Sequence, residues 1–336
     1  MKKLNVAIVG ATGAVGQEIL KVMEERNFPY KNLKLLASSR SAGTQINYQG
    51  VNYTVEETTE KSFQGIDLAL FAGGPASKAF GREAQKQGVV VIDNSSTFRL
   101  EPDVPLIVPE VNAHALQKHQ GLIANPNCST TIMVAALYPL YRYSRIKKIV
   151  VSTYQAVSGA GKEAIDELTL QIKQVFEGKP VNPEVFQYQI AFNLIPHIDV
   201  WMEENYTKEE MKMVYETQKI LEDSEIKITA TTVRVPVYRS HSESIYIETE
   251  EPISPDLARE LLQKAKGIIV QDDPQQNLYP MPLFASEKDE VYVGRIRKDL
   301  YEPNALNLWV VSDQIRKGAA TNTVQIAEEL IKNNLI

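Results

Sequence analysis

The stretch LNVAIVGATGAVGQEILKVMEER (4–26) narrows the fold more than any other part of the chain. A short apolar run meets glycines at Gly10, Gly13 and Gly16, and an amphipathic helical pattern follows over 15–26. Glycine at these spacings lets backbone approach a pyrophosphate, and the open N–H groups of a helix start bind its charge. A lone glycine pattern is weak evidence; one lying between a buried strand and a helix is far more specific. The plain alternative is a tight turn with no ligand. A strand, helix and strand joined this way lie parallel in one sheet, so a βαβ architecture is expected.

The next segments repeat that texture. LKLLAS (33–38), IDLALFAG (66–73) and VVVIDNS (89–95) read as buried strands, and ASKAFGREAQKQ (76–87) as a helix. Such alternation predicts an α/β fold, a Rossmann-like, doubly wound parallel sheet. Residues 44–60 alternate more cleanly and predict an antiparallel flap. Beyond residue 128 the pattern changes. Segments 146–159, 225–239, 242–250, 289–298 and 306–313 are long, β-branched and alternating. They predict an antiparallel or mixed sheet with one covered face. Helices are expected at about 161–177, 207–222 and 255–266, with a long last helix over 314–335. The expected organisation is a dinucleotide-binding domain, 1–127 plus about 314–336, and a catalytic α+β domain, 128–313.

Composition excludes several function classes. The chain has 336 residues, 23% of them charged, and a net charge of −6, which argues against a nucleic-acid binder. Its only cysteine is Cys128, so neither an internal disulfide nor a multi-Cys metal site is available, and no metal is expected. Lys2 and Lys3 open the chain like an export signal, but the apolar run behind them lasts only about six residues, too short for an export core. No run is long enough to span a membrane. A cytoplasmic protein is expected.

The second strand ends in Ser38-Ser39-Arg40-Ser41. An acidic residue there would hold the adenosine 2′-hydroxyl of NAD. Hydroxyls with a guanidinium suit a 2′-phosphate instead, so NADP is favoured over the alternative of a solvated serine loop.

Cys128 lies in NPNCSTT (125–131), ahead of the apolar run TIMVAALYPLY. The thiolate is the nucleophile, and a free thiol titrates at about 8.5. At a helix start, unpaired N–H groups and the helix dipole stabilise the anion. Pro126 restrains the chain on entry, and Asn127 or Ser129 can cap. A buried structural thiol is the bland reading. The nucleotide loop and one histidine weigh against it. His114 and His119 read as surface, and His197 as a packed or loop residue. His241 starts a strand, with Arg234 and Arg239 just before it. A base for the thiol beside cations for an anionic substrate forms a coherent set.

The same residues resemble those of the aspartate-β-semialdehyde dehydrogenase family, over essentially the whole chain. GATGAVG, IDNSSTFR (92–99), NPNCSTT, YQAVSGAG (154–161), NLIPHI (193–198), KEEMKMVYETQKI (208–220), VRVPVYRSHSE (233–243) and DQIRKGAA (313–320) carry the likeness, in order. The resemblance implies NADPH-dependent reduction of L-aspartyl 4-phosphate to aspartate 4-semialdehyde with release of phosphate. That step leads to lysine, threonine and methionine. It implies Cys128 as the thioester nucleophile, His241 as acid/base, Gln155 as an orienting residue, and Asn127 with nearby N–H groups as the oxyanion site. Arg234 would grip the substrate carboxylate and Glu209 its amine, with Glu210 as the alternative one residue on. Arg99 and Lys212 would hold phosphate. Thr12, Gly13, Ala14, Val15, Ser39 and Arg40 match nucleotide positions; Ser158, Gly159 and Gln314 match nicotinamide-side ones. The resemblance further implies a homodimer through the catalytic domain's sheet, with tetramers left open.

Two rivals remain. An N-acetyl-glutamyl-phosphate reductase shares the plan, but its blocked amine would gain nothing from Glu209. A non-enzymatic NADP-binding redox sensor would explain the loop and thiol, but not Arg99, Gln155, Arg234 and His241 together.

Overall fold

The glycine loop does join a strand to a helix: β1 (Leu4–Val9) leads through Gly10 into α1 (Ala14–Glu25). Gly10 takes φ of +86°, a left-handed turn that favours glycine. Gly16 meets a harder limit, since a Cβ there would lie 2.2 Å from the Gly10 carbonyl oxygen. Gly16, Ile19, Leu20 and Met23 recur at helical spacing and are the buried face of α1.

The computed structural model describes residues 3–336, which fall into two units, residues 3–127 with Ala319–Ile336, and Cys128–Gly318. In the first, β2 (Tyr30–Ala37) pairs with β1. A hairpin follows, β3 (Gln45–Tyr48) and β4 (Val51–Thr54), turned at Gln49 and Gly50, both of positive φ. This is the expected flap. Then come β5 (Glu56–Glu57), β6 (Leu68–Phe71), α2 (Gly74–Lys86), β7 (Val90–Asp93), α3 (Pro109–Asn112) and β8 (Leu122–Ala124). Six parallel strands run in the order β5-β2-β1-β6-β7-β8. The strand order turns back beside β1, so the glycine loop stands at the switch point where such sheets bind ligands. The C-terminal helix, Thr321–Lys332, buries Val324, Ala327 and Leu330 in the same core as Ile8, Ile19 and Met23.

In the second unit, α4 (Cys128–Tyr143), β9 (Ile146–Gln155), α5 (Lys162–Phe176), α6 (Lys208–Leu221), β10 (Lys227–Arg234), β11 (His241–Thr249), α7 (Pro255–Gln263), β12 (Ile268–Val270), α8 (Pro282–Ala285), β13 (Val291–Lys298) and β14 (Ala305–Ser312) follow in turn. Their mixed sheet has the order β10-β9-β11-β14-β13-β12. Helices α4, α6 and α7 pack on this sheet. The opposite face leaves Val150, Tyr154, Tyr246 and Trp309 at least partly exposed, which is the expected alternation. Among the described residues no helix is long and apolar enough to cross a membrane.

Three expected boundaries shift most, and the first is that β10 ends at Arg234 rather than at 239. β9 stops at Gln155, because residues 157–160 form a 3-10 turn. The last helix does not begin at Gln314. A π-helical turn, Arg316–Ala320, precedes it, and Gln314 belongs to the second unit. The run Gly318-Ala-Ala reads as helical in sequence but bends where the chain passes the start of α4.

Gly16→Ala is expected to lower stability by about 1–3 kcal/mol, the usual cost of forcing a methyl into filled space. A urea midpoint equal to that of the parent protein would show that the loop yields freely.

Candidate active site

The thiol is the first residue of α4, a helix of 16 residues, and is half-buried. Its side chain sits at the helix N-terminus, where N–H groups without an intrahelical acceptor point outward and the dipole favours negative charge. The approach of the π-helical turn is close. A Cβ on Gly318 would lie 2.8 Å from Cys128 Cβ, so only glycine leaves the nucleophile where it is.

Strand register assembles the rest. β10 and β9 pair in parallel with Arg234 beside Gln155, and β11 runs antiparallel to β9 with His241 beginning at that same end. Arg234, Gln155 and His241 therefore form one row across the covered face of the sheet. All three are buried. The backbone of Ala156 ties two of them: Arg234 Nη1 donates to its carbonyl at 2.7 Å, and its N–H donates to His241 Nδ1 at 3.1 Å.

That second bond sets the tautomer. Nδ1 accepts, so the neutral ring carries its proton on Nε2. Burial, then the nearby Arg234 charge, push His241 well below its ordinary value. The ring is thus a neutral Nε2–H donor with no free lone pair. In this tautomer Nε2 offers a proton rather than a lone pair, since taking one there would set Nδ1–H against the Ala156 N–H. Burial likewise lowers Arg234, while Glu209 and the Cys128 sulfur pull the other way, which puts the thiol within electrostatic reach of the guanidinium.

Helix α6 supplies the next group. Glu209 Oε1 accepts from Gln155 Nε2 at 3.3 Å, and its Oε2 from Lys212 Nζ at 3.0 Å. The i, i+3 spacing does place both on one face. Glu210 is engaged elsewhere. It closes a capping box with Thr207 and accepts from the Thr232 N–H at 3.0 Å. Asp199, which nothing in the sequence singled out, takes Lys212 Nζ at 2.7 Å. Burial opposes the Lys212 charge, but Glu209 and Asp199 outweigh it and hold the ammonium above its ordinary value. Arg239 is not part of this group: it pairs with the buried Asp313 and with Glu287.

Gln314 bridges two neighbouring turns. Its Nε2 donates to Ser158 Oγ, and its Oε1 accepts from the Ser240 N–H at 2.9 Å. Ser240 holds φ of +73°, a left-handed conformation costing a non-glycine residue about 1–3 kcal/mol. Ser240 immediately precedes His241 at the start of β11. Gly159 leaves room at the same place, since a Cβ would stand 3.0 Å from Arg234 Nη1 and 3.4 Å from His241 Nε2.

The first unit holds the remaining candidates. Thr12, Gly13 and Ala14 are exposed at the start of α1, whose N-cap, Gly13, brings no side chain to fill its N–H groups. Val15 is half-buried beside them. Ser38, Ser39 and Arg40 are exposed where β2 ends, and among the described residues Arg40 makes no ion pair. Arg99 is buried and oriented by two carbonyls, Asn125 at 2.9 Å and Asn94 at 2.8 Å. Asn127 is buried at the end of this unit. Of the other histidines, His114 is exposed, His119 hydrogen-bonds the Leu335 carbonyl and His197 stacks on Trp201.

Residues 5–119 match the family described as semialdehyde dehydrogenase, NAD binding domain, and residues 137–317 its dimerisation domain. An aspartate-semialdehyde dehydrogenase of Aquifex aeolicus is 59% identical, over 98% of this chain and 99% of that protein. Aspartate semialdehyde dehydrogenase II of Vibrio cholerae, solved in complex with ASA, superposes with a TM-score of 0.96 at 46% identity, covering 99% of both chains. The Candida albicans enzyme, solved with NADP, has a TM-score of 0.77 at 25% identity, over 100% of both chains.

Gly318→Ala should slow alkylation of Cys128 by iodoacetamide roughly tenfold or more, because the methyl displaces the α4 start by a clash that packed atoms cannot absorb. An unchanged alkylation rate would show that Gly318 does not place the thiol.

Proposed function

The chain belongs to the aspartate-semialdehyde dehydrogenase family, and from that premise we propose that it reduces L-aspartyl 4-phosphate with NADPH to L-aspartate 4-semialdehyde and phosphate, through a thioester on Cys128. One observation carries the reading. The sole thiol opens a helix within electrostatic reach of Arg234, in a buried row with Gln155 and His241.

Arg234 suits the α-carboxylate of the substrate, as a buried guanidinium already held by one carbonyl. Glu209 suits the α-amine, which favours a substrate with a free amino group over an N-acylated one. Lys212 suits the phosphate, and the resemblance gives Arg99 the same task. The Cys128 thiolate attacks the acyl carbon; a C–S bond forms, the C–O bond breaks, and phosphate leaves with the electron pair. Asn127 and the first N–H groups of α4 steady the oxyanion.

The glycine loop, the open start of α1 and the Ser38–Arg40 turn fit NADPH, and Gly16 lets the loop close tightly on the start of α1. When bound, the cofactor supplies a hydride. Reduction of the thioester carbon leaves a tetrahedral alkoxide, to which His241 Nε2–H donates. Collapse expels the Cys128 thiolate and frees the aldehyde, so the sulfur needs no proton in either direction. A neutral donor suffices, and burial beside Arg234 keeps His241 neutral. Gln155, held by Glu209, orients the acyl group. Ser158, Gly159 and Gln314 suit the nicotinamide side.

A homodimer is proposed through the outer sheet face, where Val150, Tyr154, Tyr246 and Trp309 offer an apolar and aromatic surface. A cytoplasmic location suits an enzyme using an acyl phosphate and NADPH.

Mixing the protein with L-aspartyl 4-phosphate and no cofactor should add one aspartyl group to Cys128, visible by mass spectrometry and absent in Cys128→Ala. No adduct on the wild-type thiol would sink the mechanism. Arg40→Ala should weaken NADP binding roughly tenfold, the worth of a charge-assisted bond, and leave NAD nearly unchanged. Equal losses for both would remove the 2′-phosphate role.

A further inference from the structure

Glu243 lies two residues beyond His241 on the same face of β11, and no step above uses it. Its side chain is 0% exposed, and neither carboxylate oxygen has a protein hydrogen-bond partner. Among the described residues no cation offsets it, burial being the sole influence on its carboxyl. On β10, Arg234 is turned to the Ala156 carbonyl. On α6, Lys212 is taken by Glu209 and Asp199, and Glu210 by Thr207 and Thr232. On α4 the first titratable group is Cys128, and Arg142 lies in the last turn. The covered face of β14 brings Val310 and Ser312, and His241 is neutral. An ionised carboxylate in such surroundings costs far more than one hydrogen bond returns. Burial accordingly drives this carboxyl well above its usual range.

The neighbours give the acid a task. Register places Glu243 opposite Thr153 on β9, and Thr153 opposite Thr232 on β10. Side chains so opposed have Cβ atoms roughly 4.5–5.5 Å apart. Both threonines are 0% exposed. This row lies directly beneath Arg234, Gln155 and His241. Gln155 Nε2 donates to Thr153 Oγ1 at 3.3 Å as well as to Glu209. A hydroxyl that accepts there still has its own proton to donate. The carboxyl across the ladder is the acceptor at hand, directly or through one enclosed water.

We propose that Glu243 is a positioning residue: as an uncharged carboxylic acid it accepts the Thr153 hydroxyl proton, which keeps the Oγ1 lone pair on Gln155 and Gln155 on Glu209. The proposal rests on the role of Gln155 in the reading above.

Four proteins test it: wild type, Glu243→Gln, Glu243→Leu and Thr153→Val, all full-length. Leucine and valine should lower kcat roughly tenfold, the scale of one lost hydrogen bond, with KM for NADPH unchanged. Glutamine keeps the carbonyl acceptor and should rescue kcat to within about twofold, well under one hydrogen bond. The carbonyl stretch of a protonated carboxylic acid should persist in the infrared at pH 8 and vanish in Glu243→Gln. The folded carboxyl titrates above its unfolded value, so wild-type stability falls as pH rises past the unfolded value of about 4.3. The glutamine variant escapes that loss, and its gain in Tm should grow from pH 5 to pH 8. Wild-type kcat in Glu243→Leu, or glutamine as damaging as leucine, would overturn the proposal. If the leucine variant does not fold, loss of the infrared band at pH 8 overturns it, and a retained band with impaired Thr153→Val supports it. A wild-type protein without dehydrogenase activity would defeat the functional reading instead, while band and Tm shift still report on the acid.

Discussion

The backbone of Ala156, through the peptides on either side of it, holds Arg234 and His241 at once. Its carbonyl takes Arg234 Nη1 and its N–H gives to His241 Nδ1. A backbone group cannot swap donor for acceptor, so it dictates what each side chain can be. The guanidinium is pinned in direction, and the imidazole is pinned in tautomer. Both peptides are themselves fixed because β9 ends here: Val235 N–H bonds the Gln155 carbonyl at 3.0 Å, and Val157 N–H the Val237 carbonyl at 2.8 Å. Neutral imidazole and charged guanidinium then coexist in a buried place, and the electrostatic cost of a second cation is avoided.

The charges that are buried come in matched sets. Lys212 stands between Glu209 and Asp199, and Arg234 feels both Glu209 and the thiol. Matching keeps the groups ionised despite desolvation, as the raised Lys212 shows. It also means that Lys212 is a cation already shared by two carboxylates. Only Lys212 geometry, not surplus positive charge, recommends that position. Two of the residues held at positive φ, Ser240 at +73° and Asp199 at +70°, stand in the same neighbourhood. Backbone held in such conformations persists where surrounding bonds over-determine it, and Gln314 supplies one at Ser240.

Glycine acts at three places by what it leaves out. Gly16 admits the Gly10 carbonyl, Gly318 admits Cys128, and Gly159 keeps open the space beside Arg234 and His241. Each is a contact across chain segments, so none announces its purpose locally. Gly16 alone belonged to a pattern with a known physical reading; Gly159 rested on family likeness, and Gly318 stood out in neither way.

The amino-acid sequence by itself determined what is local. Period-two and period-3.6 patterning placed most strands and helices, the glycine spacing located the nucleotide loop, and composition left one thiol. Family likeness then marked Gln155, Arg234 and His241 together. Tertiary structure decided everything that depends on register between distant segments. Ala156 and His241 are 85 residues apart, so the tautomer follows from how β9 meets β11. Glu209 rather than Glu210 faces Gln155 because the capping box turns Glu210 to Thr232. Arg239 is drawn away from Arg234 and His241 because Asp313 arrives from 74 residues away. Glu243 reads as one more alternating strand residue until the sheet is assembled around it. Side-chain type and spacing are written along the chain; partner, protonation and burial are set by which strands lie side by side.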